Sequence, residues 1–203
     1  MPRTHGRIMA DIWRDPDFAS LEQGPQRAYL FILSQPDLSH AGLIPLRVRR
    51  WANNAAGLTP NQLDEQLDVL AESRFLVVDR DTEEVLVRTM VRNDGVYKQP
   101  KVMLRLREDA KQIVSPTLRA AFLAELSRLP LHELPHHTRP AVMRVVDTLR
   151  ADFGDPTPYP TEGVSDTQPE GYPEPDPTPT AYPSEGVPDT PHVRAGALPL
   201  PPT

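Results

Sequence analysis

The chain has 203 residues, 38% of them hydrophobic, with 25 prolines, no cysteine and a formal net charge of −6. That length allows one domain or two small ones. The lack of cysteine excludes a disulfide scaffold, a cysteine-based zinc site and a thiol nucleophile, and no run approaches the ~18 apolar residues of a membrane span.

Proline and charge divide the chain at the same place. Residues 151–203 hold 14 of the prolines, nine acids and one arginine, Arg194, whereas residues 1–150 carry 21 Lys/Arg against 19 Asp/Glu. A core is therefore expected in the first 150 residues, and the acidic balance belongs to the rest. Met1 to Ala10 lack the apolar centre of a signal peptide, so a cytoplasmic location is expected.

In chain order, residues 1–20 read as an extended lead-in with Ile8, Ile12, Trp13 and Phe18 as apolar pegs. Pro25 to Ser34 reads as a short buried helix, with proline in its first turn. A short extended piece, Ala41 to Ile44, follows. Pro45 is expected to open a second helix to about Asn53, with Val48, Trp51 and Ala52 inward, Arg49 and Arg50 outward and Arg47 beside them. A turn at residues 53–57 leads to the clearest helix. Thr59 is its N-cap, Pro60 its first residue and Gln62 completes a capping box. Leu63, Leu67, Leu70 and Ala71 then make one apolar stripe.

Phe75–Val78 and Val85–Val91 are strand-like runs joined by a polar turn, the pattern of a β-hairpin. Beyond the turn at Asn93-Asp94-Gly95, helices are expected over 102–114, from the Ser115-Pro116 cap to about Leu129, and over 141–153. From Gly154 onward, a Pro-, Thr-, Asp- and Glu-rich tail lacks the apolar content to offset the entropy of ordering and is expected to be disordered. It carries an imperfect repeat, Tyr159–Thr167 and Tyr182–Thr190.

Helix, short strand, helix, turn, helix, hairpin is the order of a winged helix, in which a helix-turn-helix meets DNA and the hairpin is the wing. Ile8 to Phe18, Arg27 to Leu33, Gly42-Leu43-Ile44-Pro45, the Leu63/Leu67/Leu70 helix and Val87 to Lys101 stand in one order. Together they resemble the N-terminal winged-helix domain of phage and plasmid replication-initiator, or replisome-organiser, proteins of actinobacterial mobile elements. The resemblance covers about residues 7–102. It implies DNA binding at an origin, with the C-terminal part available to recruit a replicative helicase or helicase loader.

The expected architecture is thus mostly α with a small β-hairpin (α+β): a winged helix over 1–101, a helical extension over 102–153 and the tail over 154–203. The expected function is DNA binding in replication initiation or helicase loading, without enzymatic activity or cofactor. A protein-interaction adaptor and a transcriptional regulator are the alternatives.

Charge departs from a simple DNA reader. Thr59 to Glu84 holds eight acids and two bases, whereas Arg88 to Lys111 holds seven bases and three acids. Phosphate attraction supplies most non-specific affinity, so the phosphate contacts are assigned to Arg47, Arg49, Arg50, Lys98, Lys101 and Arg105. The first turns of the third helix, with Asn61, Gln62 and Gln66, are the candidate base contacts, since Asn and Gln pair with adenine. Trp51 is expected in the core. The paired acids Asp64-Glu65 and Glu83-Glu84 lack a histidine or buried partner for hydrolysis, no phosphate-cradling loop is present, and His132, His136 and His137 sit on one proline-broken segment unsuited to a metal.

Overall fold

The structure, a computed structural model, describes residues 8–154. The first seven residues, the tail and its repeat lie outside the described residues. The fold is mostly helical with one small three-stranded antiparallel sheet, of the α+β class.

The lead-in is helical rather than extended. Ala10–Arg14 makes a 3₁₀ turn and Pro16–Ala19 a short helix, α1. Asp15 causes the change: its carboxylate accepts the N–H groups of Asp17 and Phe18 at 2.9 and 3.3 Å, with Pro16 next to it in the first turn. This seats Phe18 in the core against Tyr29 and Phe75, with ring centroids 6.0 Å away from each. Burial pushes the Tyr29 phenol up to about 12.

Helix α2 runs Gln23–Leu33, β1 Leu43–Pro45, α3 Val48–Ala52 and α4 Pro60–Glu72. Pro45 closes β1 instead of opening the second helix. The strand lies at the sheet edge, where a proline removes no ladder bond that a central strand would need. The capping box of α4 is present as the sequence indicates, with Thr59 and Gln62 satisfying each other's backbone N–H groups. Beyond α4, Arg74 takes a left-handed φ of 62°. The N–H of Phe75 reaches Leu70 O at 2.9 Å and that of Arg74 reaches Ala71 O at 3.0 Å, the paired bonds of a Schellman ending.

Strands β2 (Leu76–Asp79) and β3 (Glu84–Val87) form the hairpin, and β1 adds to β3 to give the order β1-β3-β2. The second strand ends sooner than the alternation from Val85 to Val91 implies. The chain turns there into α5 (Met90–Asn93), and Met90 and Val91 enter different cores.

Register explains how the sheet is used. Ile44, Val85 and Val78 stand opposite one another and share a face with Leu76 and Val87; this face packs on α1 to α4. Leu43, Leu86 and Val77 form the row on the other face. That row is covered by α6 (Pro100–Ala110), α7 (Pro116–Ser127) and α8 (Arg139–Phe153) through Met103, Leu106, Phe122, Val142 and Val146. Strand β3 is consequently buried throughout. The hairpin is the middle layer of a sandwich, not a ribbon standing free of the body, because Val85 and Val87 on one face and Leu86 on the other are all buried apolar side chains.

The hairpin tip is also tied down. The buried Glu84 carboxylate accepts the N–H of Val114 at 2.9 Å and that of Ser115 at 2.7 Å, at the start of α7. The Ser115 hydroxyl and the N–H groups of Thr82 and Asp81 hold the Asp79 carboxyl below its ordinary range, against the upward pull of partial burial.

Candidate nucleic-acid interface

Helix α3 is short, and its inner side buries Trp51 and Ala52 in the first core. That anchoring leaves Arg49 and Arg50 on the outer side, exposed and without a carboxylate partner among the described residues. Arg47, between β1 and α3, is paired: its Nη1 lies 2.6 Å from Asp37 Oδ2.

A third cation joins Arg49 and Arg50. Arg27, exposed on α2, donates from Nη2 to Asn54 O at 3.4 Å, and its guanidinium carbon sits 5.9 Å from the centre of the Phe31 ring. Phe31 in turn meets Trp51 edge-on at 6.2 Å, and Asn54 Nδ2 donates to Arg50 O at 3.0 Å. Arg27 is thereby fixed at the end of α3. Its charge was not singled out from the sequence because it stands on a helix that is otherwise almost wholly apolar; only the fold brings α2 beside the 53–57 turn.

The second basic stretch is less available than its charge suggests. Arg88 is buried against Glu125, Nη2 to Oε1 at 2.8 Å. Arg105 Nε is 3.1 Å from Asp109 Oδ1, while Asp109 Oδ2 also takes the backbone N–H and Nδ1 of His40. Arg107 and Lys111 share Glu108, whose carboxyl they hold below its usual range. Lys98, its ammonium 5.7 Å from the Tyr97 ring centre, and Lys101, in the first turn of α6, remain exposed without a carboxylate partner among the described residues. They belong to the layer on the opposite sheet face from α3, so the structure does not merge the two cationic groups into one helix surface.

The α4 residues expected at bases are placed differently from one another. Asn61 is exposed. The Gln62 amide oxygen is committed to the cap, accepting Thr59 N at 2.9 Å and Thr59 Oγ1 at 3.0 Å. Gln66 is half-buried against Gly24. Asp64 and Asp68 are held by Arg80 Nη2 at 3.0 and 2.6 Å, and Asp68 first, then Asp64, pushes the Arg80 guanidinium further above its ordinary value. The outer face of α4 is thus acidic, with part of its charge offset by the hairpin tip.

Among the described residues no helix is long and apolar enough to cross a membrane. Neither a protein-family model, nor a curated protein, nor a solved structure significantly matches the chain.

Proposed function

We propose that the chain is a non-enzymatic DNA-binding protein that holds the phosphate backbone at α3, through Arg27, Arg49 and Arg50. One observation carries this reading: Arg49 and Arg50 stand exposed on a five-residue helix, Arg27 is held just past its end at Asn54, and none of the three has a carboxylate partner among the described residues. Elsewhere, Arg47, Arg80, Arg88, Arg105 and Arg107 are each paired with an acid, and Arg119, Arg139 and Arg144 are bonded to backbone carbonyls. Arg49 and Arg50 are successive exposed cations on one short helix, and a local basic cluster of this kind favours a polyanion; Glu22 and Glu65 line a cleft beside Arg27 only.

The element order from α2 to β3 supports a winged helix-turn-helix with α3 across the backbone. Lys98 and Lys101 are a second, separate contact, reached where DNA passes from one layer to the next. Arg47 and Arg105 enter only by exchanging Asp37 or Asp109 for phosphate. Sequence readout through α4 rests on Asn61, since Gln62 is occupied and Asp64 and Asp68 oppose close approach. In this reading the chain recognises backbone more than sequence, as a replication initiator's accessory contact or a helicase-loading platform does.

The acidic face of α4 favours a second reading, an adaptor that binds protein through α4. An electrophoretic shift on random and element-derived duplexes separates the two. Loss of binding on neutralising Arg49 and Arg50, with little change for Asp64→Asn/Asp68→Asn, supports DNA contact. Absence of any shift at low salt supports the adaptor.

A further inference from the structure

The exposed residues of α6 are Lys101, Leu104, Arg105 and Glu108, whose spacing puts them on one face of the helix. Lys98 stands exposed just ahead of them. Glu108 is taken by Arg107 and Lys111, and Arg105 shares Asp109 with His40. From Lys98 to Arg105 the face is therefore cationic around a leucine that is 52% exposed.

The chain leaves the described fold at the far end of this helix. Arg119 ties the two ends together. Its Nε donates to Ile113 O at 2.7 Å, just past α6, and its guanidinium carbon lies 5.2 Å from the ring centre of Phe153, the last residue of α8. Gly154, with φ 75°, then ends α8. Residues 155–167 follow, with Asp155, Glu162 and Asp166 as their charges and Tyr159 and Val164 as their large apolar side chains. The stretch from Tyr159 to Thr167 recurs as Tyr182 to Thr190 with changes only at positions 161 and 165. A spacer is defined by its composition alone, whereas a pattern that repeats its tyrosine, valine and acids in place has the form of a docking segment.

We infer that residues 155–167 dock on the outer face of α6 of the same chain. Charge and reach both select this occupant. At about 3.1 Å per residue in a Pro-rich stretch, Tyr159 lies about 15 Å from Gly154, and α6 covers about 9 Å from Ala110 back to Leu104. Running back along the helix, Tyr159 covers Leu104, and Glu162 and Asp166 meet Lys101 and Lys98. Each exposed ion pair is weak, but a short tether supplies an effective concentration of about a millimolar, at which weak contacts suffice. The docking stands without DNA, since neither Arg49 nor Arg50 takes part in it.

The chain has no cysteine, so Ser165→Cys carries a nitroxide at one place in the full-length protein. At low salt, the amide signals of Lys98, Lys101, Leu104 and Arg105 are expected to broaden several-fold more than those of Asn61 and Asp68 on α4. Raising salt to about 0.5 M removes most of the difference. Glu162→Gln/Asp166→Asn and, separately, Leu104→Ser each reduce it several-fold with the melting temperature unchanged. No broadening at α6, equal broadening at α6 and at Arg49 and Arg50, or indifference to both variants would overturn the inference. So would equal broadening of isotope-labelled chains that lack the nitroxide when they are mixed with chains that carry it, because the contact would then lie between molecules.

Discussion

Arg88 and Glu125 meet in the interior, with Nη2 2.8 Å from Oε1 and side chains only 1% and 3% exposed. Arg88 follows β3 and Glu125 lies in α7, so the pair joins the hairpin to the second helical layer. Arg88 Nη1 also donates to Arg74 O at 3.3 Å, tying in the end of α4. Removing Glu125 takes away the carboxylate that faces the buried Arg88 guanidinium and that also lies 3.7 Å from Arg128 Nη1, at a cost of about 3–5 kcal/mol. Glu125→Ala is expected to destabilise by that amount in urea unfolding, whereas Arg88→Met/Glu125→Leu recovers most of it. Equal losses in the single and double variants would show that the charges do not act as a pair.

Glu84 predicts a second joint. Its carboxylate serves two N–H groups at the start of α7. Glu84→Ala leaves the buried Ser115 N–H and the part-buried Val114 N–H unmet and is expected to cost about 2–3 kcal/mol, more than an ordinary surface cap. Hydrogen exchange should then rise at Val114 and Ser115 before it rises in α4. Uniform loss of protection would contradict the local account.

Asp79 gives the acid limb. Its folded value lies below its unfolded one, near 3.9. The unfolded chain therefore binds this proton more readily, so the contribution is present above about pH 4 and lost as pH falls through the folded value. Asp79→Asn should lower the melting temperature at pH 6 and narrow its gap from the parent protein below pH 4. A gap that stays constant from pH 6 to 3 would remove the carboxylate from this role.

Two backbone positions have opposite expectations. Gly42 has φ 82°, and a Cβ there would lie 2.6 Å from Val87 O, so Gly42→Ala combines strain with a clash against β3. Arg74 holds a left-handed φ of 62° without being glycine. Arg74→Gly relieves about 1 kcal/mol of that cost, and Arg74→Val increases it. Thermal melts of the three proteins should rank Arg74→Gly highest and Gly42→Ala among the lowest.

Much of this fold can be read from residues with strong local signals. Thr59, Pro60 and Gln62 mark the start of α4, and the Leu63/Leu67/Leu70 stripe marks its buried side. Ser115-Pro116 does the same for α7. What could not be read locally is where β3 goes. Val85, Leu86 and Val87 suit a half-exposed wing or a central strand equally well until Leu86 is seen facing Phe122 and its neighbours in the second core. The candidate interface divides in the same way. Arg49 and Arg50 follow from the side of α3 opposite Trp51. Arg88 is indistinguishable from a surface arginine until Glu125, 37 residues away, is brought to it, and Arg27 joins the cluster only through Asn54.

The most direct measurement of the central claim is the slope of log affinity against log salt for a random DNA duplex. Each phosphate contact adds about 0.9 to its magnitude. Arg49→Ala/Arg50→Ala should reduce that magnitude by about two, and Arg27→Ala by about one more, with Asp64→Asn/Asp68→Asn leaving it the same or steeper. A slope unchanged in the arginine variants, or no salt-dependent binding by the parent protein, would contradict a phosphate-holding role for α3.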